Sequence, residues 1–296
     1  MKILITGGTG LLGKALIESA DARCEIVATC CSEHGIKDTK RAKCITLDIR
    51  NREGHGFLFK EFKPDVVIHM AGIGSPDYAE KHKKESREIN IGGIENILAN
   101  CERYRSKFIY ISSNGIYDGN KAPYSEDDEA LPVNFYGEIK LEGEKIVKNA
   151  KVPYAIVRPI LMYGWNNPFG RPNIVTFALS QLKKGGKVFA YDDVYVTPLF
   201  SDNCAKALWK IVWEEKYETF NIGGKDRMSI YGLLCKVAEV FNLDGGHIVP
   251  VQQGFFKELV KRPKDTSFHT AKMRDVLGMQ PVSVEEGLLL MKQSER

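Results

Sequence analysis

"KILITGGTGLLG" (residues 2–13) decides the fold. "KILIT" (2–6) is a short apolar strand, and "TGGTGLLG" (6–13) follows it and opens a helix that reads from Leu11 to Ala20. Gly7, Gly10 and Gly13 stand three apart. At a strand-to-helix junction glycine makes the tight turn, lets backbone approach a pyrophosphate, and lets the helix pack close to the strand. The helix N-terminus then offers unpaired N–H groups and the positive end of its dipole to phosphates. The turn therefore reads as a dinucleotide cradle built from Gly7, Thr9, Gly10, Leu11, Leu12 and Gly13.

Outward from this turn the first half alternates strands with helices. "CEIVAT" (24–29), "KCITL" (43–47), "PDVVIHM" (64–70), "KFIYIS" (107–112) and "YAIV" (154–157) read as strands, while 77–101 and 134–149 read as helices. That alternation predicts parallel βαβ units covered by helices on both faces. After Arg158 the pattern loosens into the Gly/Pro/Asn-rich loop "MYGWNNPFGRPN" (162–173). Helices follow at roughly 202–216, 229–241, 270–277 and 283–293, among short strands such as "VFAY" and "TFNI". The expected fold is α/β, a Rossmann-type doubly wound parallel sheet over 1–160 with a smaller C-terminal α/β substrate lobe over 161–296. Some segments, about 190–225, are expected to return to the first domain. A cleft should open at the carboxyl ends of the strands.

The 296 residues suffice for a large core, and 43% hydrophobic with 27% charged content is ordinary for a soluble globular protein. The net charge of +4 is spread along the chain and no basic run alternates with aromatics, so nucleic-acid binding is not indicated. Seven cysteines without zinc spacing read as reduced thiols. No apolar run reaches membrane length, and "MKILITGG" does not resemble a signal peptide. A cytoplasmic protein without membrane or nucleic-acid partners is expected; a homodimer follows only from base rates.

An NAD site would carry an Asp or Glu at the end of the second strand. That place holds Thr29, Cys30, Cys31 and Ser32, with Lys37, Lys40 and Arg41 close behind. No carboxylate is there to repel a 2′-phosphate, so NADP(H) is the preferred cofactor and NAD(H) the alternative; equally, these bases could simply solvate a loop. In "YGEIKLEGEK" (136–145) Tyr136 and Lys140 stand four apart and project from one helix face. A phenol with a pKa near ~10 is a poor proton shuttle at neutral pH. A neighbouring ammonium stabilises the phenolate and is expected to lower that value.

The motifs TGxxGxxG, "LDI" (47–49), "HMAG" (69–72), "ISSNGIY" (111–117), YxxxK (136–140) and "RP" (158–159) arrive in one order. The chain resembles the extended short-chain dehydrogenase/reductase family. "FNIGGKDRMS" (220–229) and "RPKDTSFHTAKMRDVLG" (262–278) resemble the closing segments of its dTDP-4-dehydrorhamnose reductase branch. The resemblance implies that Asp48 accepts from the adenine amino group with Ile49 beside the ring. It implies that Ala71, Gly72, Ser112 and Pro159 line the cofactor and that Asn90 supports a proton-relay water. Ser113, Tyr136 and Lys140 would form the catalytic triad, with Lys140 also on the nicotinamide ribose. Arg262 would bind a sugar-nucleotide diphosphate, for which a guanidinium suits by bidentate geometry.

Ser113 and Asn114 would face the substrate. Trp165, Asn166 and Asn167 are either sugar contacts or loop residues. Asp202 reads as a helix N-cap. Two departures matter. Leu161 stands where the branch commonly carries Trp, which weakens dehydrorhamnose as the substrate. Asn114 and Gly115 replace the Asp-Glu of the 4,6-dehydratases. The expected function is reduction of a nucleotide-linked 4-keto-6-deoxy sugar. The alternatives are an NAD-retaining epimerase and a regulatory module like the β subunit of methionine adenosyltransferase.

Overall fold

The computed structural model describes residues 1–31, 39–167, 170–257 and 260–295. The strands of the first half are β1 (Lys2–Thr6), β2 (Glu25–Cys30), β3 (Lys43–Thr46), β4 (Val66–His69), β5 (Lys107–Ile111) and β6 (Tyr154–Pro159). The helices between them are α1 (Leu11–Glu18), α2 (Arg52–Phe62), α3 (Pro76–Lys81), α4 (Lys83–Tyr104) and α5 (Phe135–Lys148). The second half adds β7 (Met162–Tyr163), α6 (Ile174–Leu182), β8 (Val188–Tyr191), β9 (Tyr195–Val196), β10 (Leu199–Phe200), α7 (Ser201–Glu214) and β11 (Thr219–Ile222). It ends with β12 (Met228–Ser229), α8 (Ile230–Phe241), β13 (Ile248–Val251), α9 (Ala271–Asp275) and α10 (Val284–Gln293).

Among the described residues seven strands form one parallel, Rossmann-like sheet in the order β11-β6-β5-β4-β1-β2-β3. Helices cover both faces of the sheet, and all four residues of the interior strand β4, "VVIH", are buried. Alternate residues feed two cores. Ile3 and Ile5 join Leu12 and Leu16 of α1 and Leu208 and Ile211 of α7. Leu4, Val67 and Phe108 join Phe59 of α2, Ile97 of α4 and Val147 of α5. The strand order reverses between β1 and β4, so the crevice of a doubly wound sheet opens there, at their aligned ends Thr6 and His69.

The second half does not hold a separate core. β11 pairs with β6 at the edge of the main sheet, and Leu233, Leu288 and Met291 belong to the same cluster as α1 and α7. The sequence predicts one helix over 77–101; the structure has two, broken at His82 (φ −128°), whose ring lies tilted against Tyr78 at 4.2 Å between centroids. Asp202 is not an N-cap. Phe200 holds that place in α7, and Asp202 lies in the first turn, where its charge faces the positive helix end.

Candidate active site

β5 runs out at Ile111, and Ser112 and Ser113 follow before a single 3-10 turn over Asn114–Ile116. Ser113 Oγ accepts from the Gly115 N–H at 3.1 Å and donates to Asn114 Oδ1 at 3.3 Å. α5 begins nearby, capped by Asn134, whose side chain accepts from the Gly137 N–H at 3.0 Å. The helix comes close because residue 137 is glycine: a Cβ there would lie 2.1 Å from the Gly115 carbonyl oxygen. Tyr136 and Lys140 thus arrive on the face of α5 that meets the end of β5.

The Tyr136 ring and Ser113 Oγ both lie against Gly115, and Lys140 Nζ donates to the Ile111 carbonyl at 2.9 Å. The Lys140 ammonium lies 6.0 Å from the centre of the Tyr136 ring and 5.2 Å from that of Tyr110. Burial raises the Tyr136 pKa above the ordinary phenol value, and the Ser113 hydrogen bond only partly opposes this. The shift runs opposite to the one expected from the Tyr–Lys spacing, because desolvation is its largest cause and the Ser113 hydroxyl opposes it only in part. Burial also pulls Lys140 down to about 8, opposed by the Glu144 carboxylate.

These three side chains line a cleft of about 560 Å³ together with Gly72, Ser112, Asn114, Pro159, Leu161 and Arg262. Thr266, which lines this cleft, and Asp77, which holds Arg262 from behind, were not singled out in the sequence. Thr266 accepts from Asn114 Nδ2 at 2.7 Å; it sits four residues beyond Arg262, so the "RPKDT" run was the available signal. Asp77 takes Arg262 at 2.5 Å on one carboxylate oxygen and the Val260 N–H at 2.9 Å on the other. That pair ties the segment before Pro263 to the start of α3. Trp165 does not line this cleft. Its Nε1 donates to the Met291 carbonyl at 2.7 Å, its ring meets Phe241 edge-on, and it borders a separate hollow with Lys14, Asn166 and Asp202. Asn166 braces its own loop, accepting from Asn173 Nδ2 at 2.6 Å.

The glycine turn is tightly packed on its inner side. Gly7 adopts φ +77° and a Cβ there would lie 2.9 Å from the Ala71 nitrogen, so the ends of β1 and β4 close on one another. A Cβ at Gly13 would lie 2.5 Å from the Gly8 oxygen, while one at Gly8 would strike Ala28. Gly8, outside the three-residue spacing, is therefore as constrained as its neighbours. Gly10 is the N-cap of α1, and a Cβ there meets nothing nearer than the Gly7 oxygen at 3.4 Å. The outer side of the turn is open, and the unpaired N–H groups of a helix start lie behind it. Thr9 and Leu11 are half-buried and Leu12 is in the core.

Around the turn, Thr6 Oγ1 accepts from the Met70 and Ala71 N–H groups, both at 3.2 Å, and stands 2.9 Å from His69 Nδ1. Thr6 Oγ1 thus joins the ends of β1 and β4, while His69 Nε2 on the far side of the buried ring has no hydrogen-bond partner. Asn90 clamps the next loop: Oδ1 accepts from Ile73 N at 2.6 Å and Nδ2 donates to Ile73 O at 3.1 Å. Its amide thus serves the loop backbone rather than standing free. A Cβ on Gly72 would lie 2.9 Å from that same Oδ1. Both Asp48 oxygens are engaged by Arg50, at 3.0 and 2.6 Å, which holds the carboxyl below its usual range. Ile49 is buried against Gly93 of α4. Cys31 is exposed; Ser32 and Lys37 lie outside the described residues. Arg41 donates to the Ala20 carbonyl at the end of α1.

One cluster behind the cleft escaped the sequence reading. Glu144, fully buried, receives Ser112 Oγ at 2.6 Å, Arg158 Nε at 2.8 Å and Arg158 Nη2 at 2.6 Å. Arg158 Nη1 donates onward to the Tyr117 hydroxyl at 2.8 Å and the Glu126 carbonyl at 3.0 Å. The i, i+4, i+8 spacing of Tyr136, Lys140 and Glu144 was the signal available. Among the described residues no cluster of His, Cys, Asp or Glu has the make-up of a metal site, and no helix is long and apolar enough to cross a membrane.

Comparison with known proteins agrees with this architecture. The chain is 27% identical over 285 residues to methionine adenosyltransferase 2 subunit beta of Rattus norvegicus, covering 94% of this chain and 83% of the relative. It is 26% identical over 301 residues to dTDP-4-dehydrorhamnose reductase of Aggregatibacter actinomycetemcomitans, covering 97% of each. Its fold superposes on the dTDP-4-dehydrorhamnose reductase of Bacillus anthracis in complex with NADP, with a TM-score of 0.87, 25% identity and 99% of both chains covered. A UDP-glucose 4-epimerase of Thermus thermophilus in complex with NAD shares the fold at a TM-score of 0.86 and 22% identity. The RmlD substrate binding domain matches residues 1–295, and the chain belongs to that family.

Proposed function

We propose that this protein is an NADP(H)-preferring reductase of a nucleotide-linked 4-keto-6-deoxy sugar, with NAD(H) as the alternative cofactor. The observation that carries the reading is the meeting of Ser113, Tyr136 and Lys140 in one cleft with Arg262, beside a glycine turn open enough for a dinucleotide. The NADP held by the similar Bacillus anthracis reductase supports the cofactor.

When bound, the nicotinamide supplies hydride to the carbonyl carbon. The protein's part is to hold the oxygen and give it a proton. Ser113 Oγ donates to the carbonyl oxygen. Tyr136 is the proton donor, and its raised pKa keeps the phenol protonated at neutral pH. The phenolate left behind is stabilised by the Lys140 ammonium, whose position is fixed by the Ile111 carbonyl. Asn90 holds the Gly72–Ile73 loop against the cofactor side of the cleft. Arg262 releases Asp77 and takes the substrate diphosphate, exchanging one anionic partner for another.

The test is NADPH oxidation against a panel of dTDP-, GDP-, UDP- and CDP-linked 4-keto sugars. At least one should be reduced with net cofactor consumption, which an epimerase does not give. Tyr136→Phe should cut turnover by about 100-fold or more, the scale of a lost general acid, with NADPH affinity kept. Normal turnover by the Phe variant would remove Tyr136 from the proton-donor role.

A second reading has its own support in the likeness to methionine adenosyltransferase 2 subunit beta. Under it the protein is a dinucleotide-binding regulatory subunit of a synthetase. Co-elution with a methionine adenosyltransferase catalytic subunit, with no turnover on any sugar nucleotide, would favour it over the reductase.

A further inference from the structure

The Glu144–Arg158 pair is a poor choice if its task is stability alone. Taking two charges out of water costs several kcal/mol per ion, and well-packed apolar residues of similar volume serve a core as well or better. Yet Glu144 is 0% and Arg158 4% exposed, and the carboxylate has three donors in good geometry. What sets this pair apart is where it is attached. Ser112 is the residue before Ser113, and Glu144 lies one helical turn beyond Lys140. Two successive turns of α5 are therefore linked to the end of β5, through Lys140 to the Ile111 carbonyl and through Glu144 to the Ser112 hydroxyl. Arg158 adds the link to β6.

We infer that Glu144 and Arg158 are positioning residues: the pair anchors the Tyr136–Lys140 face of α5 to the ends of β5 and β6, and the Glu144 carboxylate keeps the Lys140 ammonium charged beside Tyr136. Calling that face catalytic rests on the reductase reading; the electrostatic link does not. The groups facing Lys140 are few. On α5 they are Tyr136 and Glu144, on β5 Tyr110, on β4 the neutral His69, and on β6 Arg158 beyond Glu144. Glu144 is the anion among them, so it alone offsets the desolvation of the ammonium.

The experiment follows the Lys140 titration by NMR of protein labelled with 13C at lysine Cε, the signal being assigned by its loss in Lys140→Arg. No substrate or cofactor enters, so failure of the reductase reading leaves the result interpretable. Glu144→Gln keeps the shape and removes the charge; Lys140 should titrate about one pH unit lower. Arg158→Met leaves the carboxylate without its guanidinium and should move Lys140 upward. Arg158→Lys restores the charge and should bring the titration back toward the native value. A merely structural link would not shift one lysine in opposite directions.

Each single variant leaves a buried charge alone and can fail to fold. The double variant Glu144→Gln/Arg158→Met leaves none and should fold, with Lys140 titrating below its native value. An unchanged Lys140 titration in any folded variant lacking the carboxylate would overturn the inference. So would failure of the double variant to fold, since neutral replacements of similar shape satisfy a purely structural site.

Discussion

Lys140 is a buried base with its pKa pulled down to about 8 from 10.5, and the sign of the consequence depends on what is measured. Below about 8 the lysine is charged in the folded protein and in the unfolded chain, so the full penalty of burying it is present. As pH rises from there toward 10.5 the folded state releases its proton first, and this contribution to stability improves. Activity moves the other way. The phenolate formed at Tyr136 needs the ammonium, so reduction by NADPH should decline as pH rises through about 8. A kcat profile between about pH 6 and about 10 checks this. Lys140→Met should be slow throughout and lack that limb. A limb unchanged in the variant would assign it to another group. This residue pair was legible in the sequence because helical periodicity places i and i+4 together whatever surrounds them. The direction of the Tyr136 shift was not legible, since it depends on desolvation that only the folded packing creates.

At the scale of the element, α5 shows why some of the site can be read and some cannot. The sequence predicts a helix over 134–149, and Phe135–Lys148 is found, capped by Asn134 with Ile139 and Val147 buried. Glu144 reads from sequence as one more surface carboxylate; only docking against β6 buries it. Trp165 fails for the same kind of reason, because the loop that carries it leans on α8 and α10 and away from the cleft. Gly137 is the decisive contact. Alanine there places a methyl 2.1 Å from the Gly115 oxygen, which forces α5 away from the Ser113 turn. Gly137→Ala should lose about 1–3 kcal/mol of stability from overpacking. A displacement of about 1 Å at Tyr136 should lower turnover about 100-fold. Gly92→Ala on α4 is the contrast: a Cβ there meets nothing within 4 Å, and the helix gains about 0.5–1 kcal/mol. Chemical denaturation of both variants, with kcat for each, separates local fit from general helix effects.

Among the described residues two histidines, His55 and His69, are buried as neutral imidazoles. Burial pulls His69 to about 3 and His55 to about 4, both from 6.5. These are bases whose folded values are depressed, so the unfolded chain takes up more protons below pH 6.5. Stability should be at its plateau above about 6.5 and fall on acidification, each histidine contributing a slope of about 1.4 kcal/mol per pH unit once titrating. Thermal melts between about pH 7 and about 4.5 test this. His69→Asn keeps an acceptor for Thr6 and removes one titration, so its melting temperature should depend less steeply on pH. An equal slope would move the effect to other groups.

The order β11-β6-β5 also fixes when the sheet can be finished. While the chain leaves the ribosome, β6 is synthesised some sixty residues before the strand that covers its open side. Until Thr219–Ile222 emerges, β6 offers its main-chain groups to any passing extended segment. Expression vectors ending near residue 160 would make that nascent condition permanent. Such fragments should collect in inclusion bodies, whereas a boundary placed beyond Ile222 spares the product that fate.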